Sequence, residues 1–166
     1  VVTDYVLREL EKHSFQATFF CIGDKVGQFL DIYRSLKEKG HAVGNHTHNH
    51  LNAWKTENDT YLKNVMQCKK VVTSKLFRPP YGRVTYNLTK ELKEQGYKIV
   101  MWDVLSGDFD LNRSAASCLD NLKKNTKNGS VIVFHDSDKS FEKLQEILPA
   151  YLQYLATEGW KSESIV

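Results

Sequence analysis

Four of the six histidines in this chain fall between His41 and His50. The tightest group, Gly44-Asn45-His46-Thr47-His48-Asn49-His50, directly follows a short β-prone run. If the chain turns helically after Gly44, the rings of His46 and His50 share one face with Cβ atoms roughly 5–6 Å apart, close enough to chelate one metal, while His48 points elsewhere. Two neutral imidazoles suit zinc, nickel, cobalt or iron. A catalytic centre usually adds a third protein ligand and an open position, so the pair leaves a carboxylate to be found. The alternative is a polar loop of solvated histidines.

Three further segments carry chemistry. Phe77-Arg78-Pro79-Pro80-Tyr81-Gly82 stiffens a turn with two prolines and projects Arg78 with little conformational freedom. Arg78 could orient a carboxylate, and backbone N–H groups near Tyr81 could receive a developing oxyanion, the alternative being a rigid surface turn. Met101-Trp102-Asp103-Val104-Leu105-Ser106-Gly107-Asp108-Phe109-Asp110 brings three carboxylates and two aromatic rings together, the mixture that often lines sugar sites. Ser130-Val131-Ile132-Val133-Phe134-His135-Asp136 places a single imidazole, His135, at the tip of an apolar β-rich run, where it is poised for proton transfer.

The elements between these segments alternate in type. Helical spacing marks Thr3 to Lys12, Asp24 to Lys39, Glu57 to Val72, Thr89 to Gln95, Ala115 to Lys124 and Phe141 to Thr157. Strands are expected at Ala17–Ile22, Ala42–Gly44, Leu76–Phe77, Tyr97–Val104, Ser130–Phe134 and, at the end, Trp160–Val166. Strands alternating with helices imply parallel pairing through right-handed crossovers, hence an α/β barrel or a doubly wound sheet. Functional residues in such folds sit where strands end and loops begin, which is where all four segments fall. The series opens on a helix with no strand before it.

Composition sets the outer bounds. The 166 residues, 41% hydrophobic and 26% charged, fit one globular domain with a sizeable core. No apolar run approaches the roughly 18–20 residues of a membrane span. A formal net charge of +3 with interspersed signs gives no indication of nucleic-acid binding. Cys21, Cys68 and Cys118 are odd in number and widely spaced, which reads as reduced, buried thiols rather than a disulfide framework or a zinc knuckle.

The segments H-T-x-x-H, R-P-P-Y-G, W-D-V-x-S-x-D and the β-run ending in His-Asp, in this order, resemble the polysaccharide deacetylases of carbohydrate esterase family 4. Ala17-Thr18-Phe19-Phe20-Cys21-Ile22-Gly23 and the lead-in Gly40-His41-Ala42-Val43-Gly44-Asn45-His46 fit as well, so the similarity covers essentially the whole chain, residues 1–166. The resemblance implies a distorted (β/α) barrel with mostly parallel strands. It implies hydrolysis of N-acetyl groups on an amino-sugar polymer or oligomer, with a divalent metal, zinc first and cobalt or nickel next. His46 and His50 would bind the metal, with Thr47 supporting the loop. Arg78 would orient the catalytic base, Asp108 would brace that arginine, and His135 would be the general acid. Tyr81 would lend a backbone N–H and a wall to the sugar groove, and Trp102, Phe109 and Val133 would line the acetyl pocket. Phe109 stands where the family usually has Trp, and Val133 where it often has Leu.

One departure is larger. The family begins with a strand bearing T-F-D-D-G, whose first Asp is the base and whose second is the third metal ligand, and this sequence opens at Val1 without it. A barrel without its first strand, impaired catalysis and self-association through the exposed gap are the expectations that follow. A non-catalytic carbohydrate- or metal-binding remnant of the same fold is the second reading. Recruitment of Asp24, Asp103 or Asp136 as a substitute ligand is the third.

Overall fold

The computed structural model describes residues 2–166. In chain order the first elements are α1 (Val2–Lys12), β1 (Thr18–Cys21), α2 (Gly23–Gln28), α3 (Leu30–Glu38), β2 (Ala42–Asn45) and α4 (Asn58–Lys69). They are followed by β3 (Leu76–Phe77), α5 (Tyr86–Glu94), β4 (Lys98–Ile99), β5 (Val104–Leu105), α6 (Ala115–Asn125), β6 (Ile132–Val133) and α7 (Phe141–Thr157). These elements divide into two compact units, residues 2–16 with Trp102–Glu163, and Ala17–Met101 with Ser164–Val166.

The Ala17–Met101 unit is built on a parallel sheet in the order β1-β2-β3-β4. Thr18 to Cys21 stand opposite Ala42 to Asn45, Asn45 opposite Phe77, and Phe77 opposite Ile99. Parallel neighbours need crossovers, which α2 with α3, then α4, then α5 supply. Phe77 is fully buried among Tyr61, Val65, Leu88, Leu92 and Tyr97, so α4 and α5 are held by the apolar faces their sequences present. Gly44 is required by the sheet itself, because a Cβ there would stand 2.5 Å from the Phe20 ring. The loops after β1, β2 and β3 leave one edge of this sheet, and that edge carries the histidine segment and the Arg78 turn.

In the other unit β5 pairs in parallel with β6, Val104 opposite Ile132 and Leu105 opposite Val133, with α6 between them in sequence. The long α7 packs on α1 and α6. Its buried Leu144, Leu148, Tyr151 and Leu155 recur at helical spacing, and α1 and α6 contribute Leu7, Leu10 and Leu122. The Tyr5 ring stands edge-on to Phe141 at 5.6 Å, and the Tyr151 hydroxyl meets Thr126 Oγ1 at 2.7 Å.

The α/β class and parallel pairing agree with the sequence, with several corrections. The strands form two sheets, and among the described residues no pairing closes a barrel. The single helix expected from Asp24 to Lys39 is broken at Phe29 (φ −129°, ψ 52°), while Val26, Tyr33 and Leu36 remain buried on both sides of the break. Gly27 weakens the first half, at about 1 kcal/mol relative to Ala. Helix α5 begins at Tyr86 rather than Thr89 because the Thr85 hydroxyl accepts the Leu88 N–H as an N-cap.

The expected strand Tyr97–Val104 is two strands in two sheets. After Val100 the chain leaves β3, and the Arg78 side chain takes the carbonyls of Val100 (3.1 Å) and Met101 (3.0 Å) as acceptors. The tail from Trp160 is extended but not a strand, held by Gln16 N–H donating to the Ser162 carbonyl and by Ile165 N–H donating to Thr18 Oγ1. All three cysteines are free thiols; Cys68 and Cys118 are buried and Cys21 is half-buried. Among the described residues no helix is long and apolar enough to cross a membrane.

Candidate active site

The segment after β2 does not turn helically as the sequence suggested. Thr47 (φ 62°) and His50 (φ 56°) both occupy the left-handed region, which breaks any helical path between the two histidines. The loop nevertheless brings the His46 and His50 rings to 5.0 Å between centroids, at an interplanar angle of 61°. Backbone bonds hold it against the end of β1, with His46 N–H donating to the Cys21 carbonyl, and Gly23 and Asp24 N–H donating to the carbonyls of Thr47 and His48. The Thr47 hydroxyl accepts the Leu51 N–H at 3.2 Å.

Two buried asparagines complete the support. Asn45 accepts the Thr47 N–H through Oδ1 and donates to the Val65 carbonyl. Asn64, on α4, accepts from both His48 N–H (2.8 Å) and Asn49 N–H (2.9 Å) and donates to the Asn49 side chain (2.7 Å). The His48 ring lies over Gly23, where an added Cβ would come within 2.6 Å of Nδ1.

His46 Nδ1 lies 2.6 Å from the Arg78 carbonyl oxygen. A carbonyl can only accept, so Nδ1 carries the proton and the neutral ring keeps its lone pair on Nε2. An imidazole whose second nitrogen is fixed by a backbone carbonyl is the usual arrangement of a metal-ligating histidine. Two imidazoles at this spacing therefore suit a divalent cation of the zinc, cobalt or nickel type. Among the described residues no group of three His, Cys, Asp or Glu stands together, so these residues supply two positions of such a site. Asp24 accepts from Gln28 Nε2, Asp103 from the Val131 N–H and Asp136 from the Thr3 hydroxyl. None of these three carboxylates belongs to a group of three potential metal ligands among the described residues.

The Arg78 turn sits beside the loop. The Arg78 guanidinium stacks over the Phe20 ring at 4.2 Å, and burial pushes its pKa down to about 10, leaving it charged at neutral pH. Tyr81 is also left-handed (φ 60°), with its ring 4.7 Å from that of His50. Of four non-glycine residues with positive φ among the described residues, three are Thr47, His50 and Tyr81. Backbone strain of about 1–3 kcal/mol each, gathered at one place, marks functional geometry.

In the other unit Asp108 and His135 form a pair. Ser106 Oγ accepts the Asp108 N–H, and Gly107 (φ 78°) turns the chain where a Cβ would meet the Arg113 guanidinium at 2.8 Å. Asp108 is thereby fully buried, and its carboxylate accepts the His135 backbone N–H (2.6 Å) and the His135 Nδ1 proton (2.7 Å). The imidazole, 40% exposed, is left with Nε2 as its second nitrogen, and Phe109 stands edge-on to it at 5.0 Å. Val133 is buried two residues before it in β6, and Trp102 is half-buried before β5. The two Asp108 oxygens hold His135, and the Arg78 guanidinium donates to the Val100 and Met101 carbonyls.

The family model for polysaccharide deacetylases matches residues 1–100. A peptidoglycan-N-acetylglucosamine deacetylase of Bacillus cereus is 32% identical over 158 residues, covering 89% of this chain and 57% of that protein. A chitooligosaccharide deacetylase of Azorhizobium caulinodans is 30% identical over 142 residues, covering 81% of this chain and 67% of that protein. The chain belongs to the polysaccharide deacetylase family. The crystal structure of the peptidoglycan N-acetylglucosamine deacetylase Bc1960 superposes with a TM-score of 0.92 at 29% identity, covering 99% of this chain and 79% of that one. The chain spans about 57% of the first relative's length.

Asn45 and Asn64 are supporting residues that the sequence motifs did not single out. A signal for Asn64 was present, since it shares the buried face of α4 with Tyr61, Val65 and Cys68, where an amide side chain needs partners.

Proposed function

We propose that this deacetylase removes N-acetyl groups from an amino-sugar polymer or oligomer by metal-dependent hydrolysis, with zinc the first choice and cobalt or nickel the alternatives. The observation that carries the reading is the His46–His50 pair with His46 Nδ1 fixed on the Arg78 carbonyl. His46 and His50 would hold the cation, which when bound polarises an acetyl carbonyl and eases deprotonation of water. The Tyr81 N–H, set by its left-handed backbone, receives the developing oxyanion. Arg78 is placed to orient a carboxylate base. His135 Nε2 gives a proton to the departing amine while Asp108 holds the ring in the orientation that leaves this nitrogen outward. By the family resemblance, Phe109, Val133 and Trp102 would line the acetyl methyl group, and Tyr81 would offer a wall for the sugar. The peptidoglycan-N-acetylglucosamine and chitooligosaccharide deacetylases among its relatives support peptidoglycan glycan or a chitooligosaccharide as the substrate class.

Residues 2–166 bring no carboxylate group into a three-ligand cluster with the two imidazoles, so acetate release is expected to be slow. Acetate release from a β-1,4-linked N-acetylglucosamine hexamer is the test. The prediction is slow release with added zinc or cobalt, abolished by a chelator and by His135→Ala. Release that is indifferent to chelator and to both His46→Ala and His135→Ala would contradict it. Zinc binding without any acetate release would select the second reading, a non-catalytic carbohydrate- or metal-binding remnant.

A further inference from the structure

The turn after the histidine loop presents an aromatic platform that the proposed chemistry does not use. Asn52 organises it, with its side-chain oxygen accepting the Trp54 N–H (3.0 Å) and its carbonyl accepting the Lys55 N–H (3.0 Å) and the Thr56 hydroxyl (2.9 Å). Ala53 is buried in the same cluster as Phe77, which anchors the turn from below. The indole of Trp54 between these fixed neighbours is 65% exposed. The Arg83 guanidinium lies 4.7 Å from its ring centroid. Arg83 is itself held by its N–H on the Pro80 carbonyl, two residues beyond Tyr81. Trp54 thus follows His50 by four residues and its partner follows Tyr81 by two, so the platform is tied to the candidate site through two short, hydrogen-bonded turns.

Beside Trp54 is an open depression of about 610 Å³ bordered by Thr56, Glu57, Asn58, Asp59 and Thr85. A large exposed ring next to hydroxyl, carboxylate and amide groups matches a pyranose, whose C–H face lies on an aromatic plane while its hydroxyls find acceptors and donors at the rim. Glu57 and Asp59 disfavour a polyanion at the same place. We propose that Trp54, backed by Arg83, is a secondary subsite for a neutral sugar unit of the polymer, away from the unit being deacetylated. The nature of the polymer rests on the function proposed above; the subsite itself does not need the chemistry to occur.

The test is a calorimetric titration of the full chain with N-acetylglucosamine hexamer and dimer, together with the indole N–H spectrum of the 15N-labelled protein. Trp54 is exposed, so its replacement leaves the fold intact. Trp54→Ala is expected to weaken hexamer binding roughly three- to tenfold with dimer binding unchanged, Trp54→Phe to restore most of it, and the Trp54 indole resonance to shift on hexamer addition. Hexamer affinity unchanged in Trp54→Ala, or an unmoved Trp54 resonance, overturns the subsite. Hexamer binding that depends on Trp54 in the absence of acetate release upholds the subsite while the hydrolase reading fails.

Discussion

Asp108→Asn keeps the volume of the buried side chain but places an amide where two N–H donors of His135 now meet carboxylate oxygens. One donor then faces another, and the ring is driven toward the tautomer that carries its proton on Nε2 instead of Nδ1, as happens when the aspartate of a serine-protease triad is replaced by asparagine. The expected result is a fall in kcat of about 10²-fold or more, read by acetate release, accompanied by a change in the 15N shifts of the His135 ring. Unaltered ring shifts would show that Asp108 does not set the tautomer. The identity of these residues was legible in the sequence because each stands at the end of an apolar β-run. The hydrogen bonds between Asp108 and His135 were not, because a motif gives types and spacing while this contact depends on the left-handed turn at Gly107 and on Ser106 beneath it.

At the level of elements, α4 positions the loop that carries His46 and His50 through Asn64. Asn64→Ala removes the acceptor of two backbone N–H groups and the donor to Asn49, and is expected to cost about 2–4 kcal/mol by urea unfolding, with zinc affinity lowered in parallel. Asn64→Asp keeps the acceptor and should recover part of both, whereas equal losses for the two variants would deny the loop-holding role. Helices α1, α4, α6 and α7 were readable because apolar spacing at 3.6 residues survives in the sequence. The break at Phe29 was hidden because apolar residues keep the same phase across it. The division between β4 and β5 was hidden because one β-prone run serves two sheets, and where the first pairing ends the Arg78 side chain takes the carbonyls of Val100 and Met101. The nearness of His46 to His50 was foreseen by the wrong route, since a loop with positive φ at Thr47 and His50 does what a helical turn was expected to do.

For the whole molecule, burial of acidic side chains predicts alkaline sensitivity in both units. Burial pushes the Cys68 thiol up to about 11 from 9.0, and the Tyr151 hydroxyl up to about 12 from 10.0, and it raises Tyr61 as well. Between the ordinary and the raised values the folded chain holds protons that the unfolded chain has released, so stability is full below pH 9 and declines from there to about pH 12. Each two-unit shift corresponds to about 3 kcal/mol. Urea midpoints should therefore be flat from pH 7 to 9 and lower at pH 10.5, and a flat profile to pH 11 would show those groups to be solvated. The account as a whole turns on whether His46 and His50 grip one cation, and the zinc K-edge absorption spectrum of the zinc-loaded chain measures this most directly. Two histidine nitrogens at about 2.0–2.1 Å are predicted, falling to one in either His46→Ala or His50→Ala. A spectrum that neither substitution changes would contradict the account.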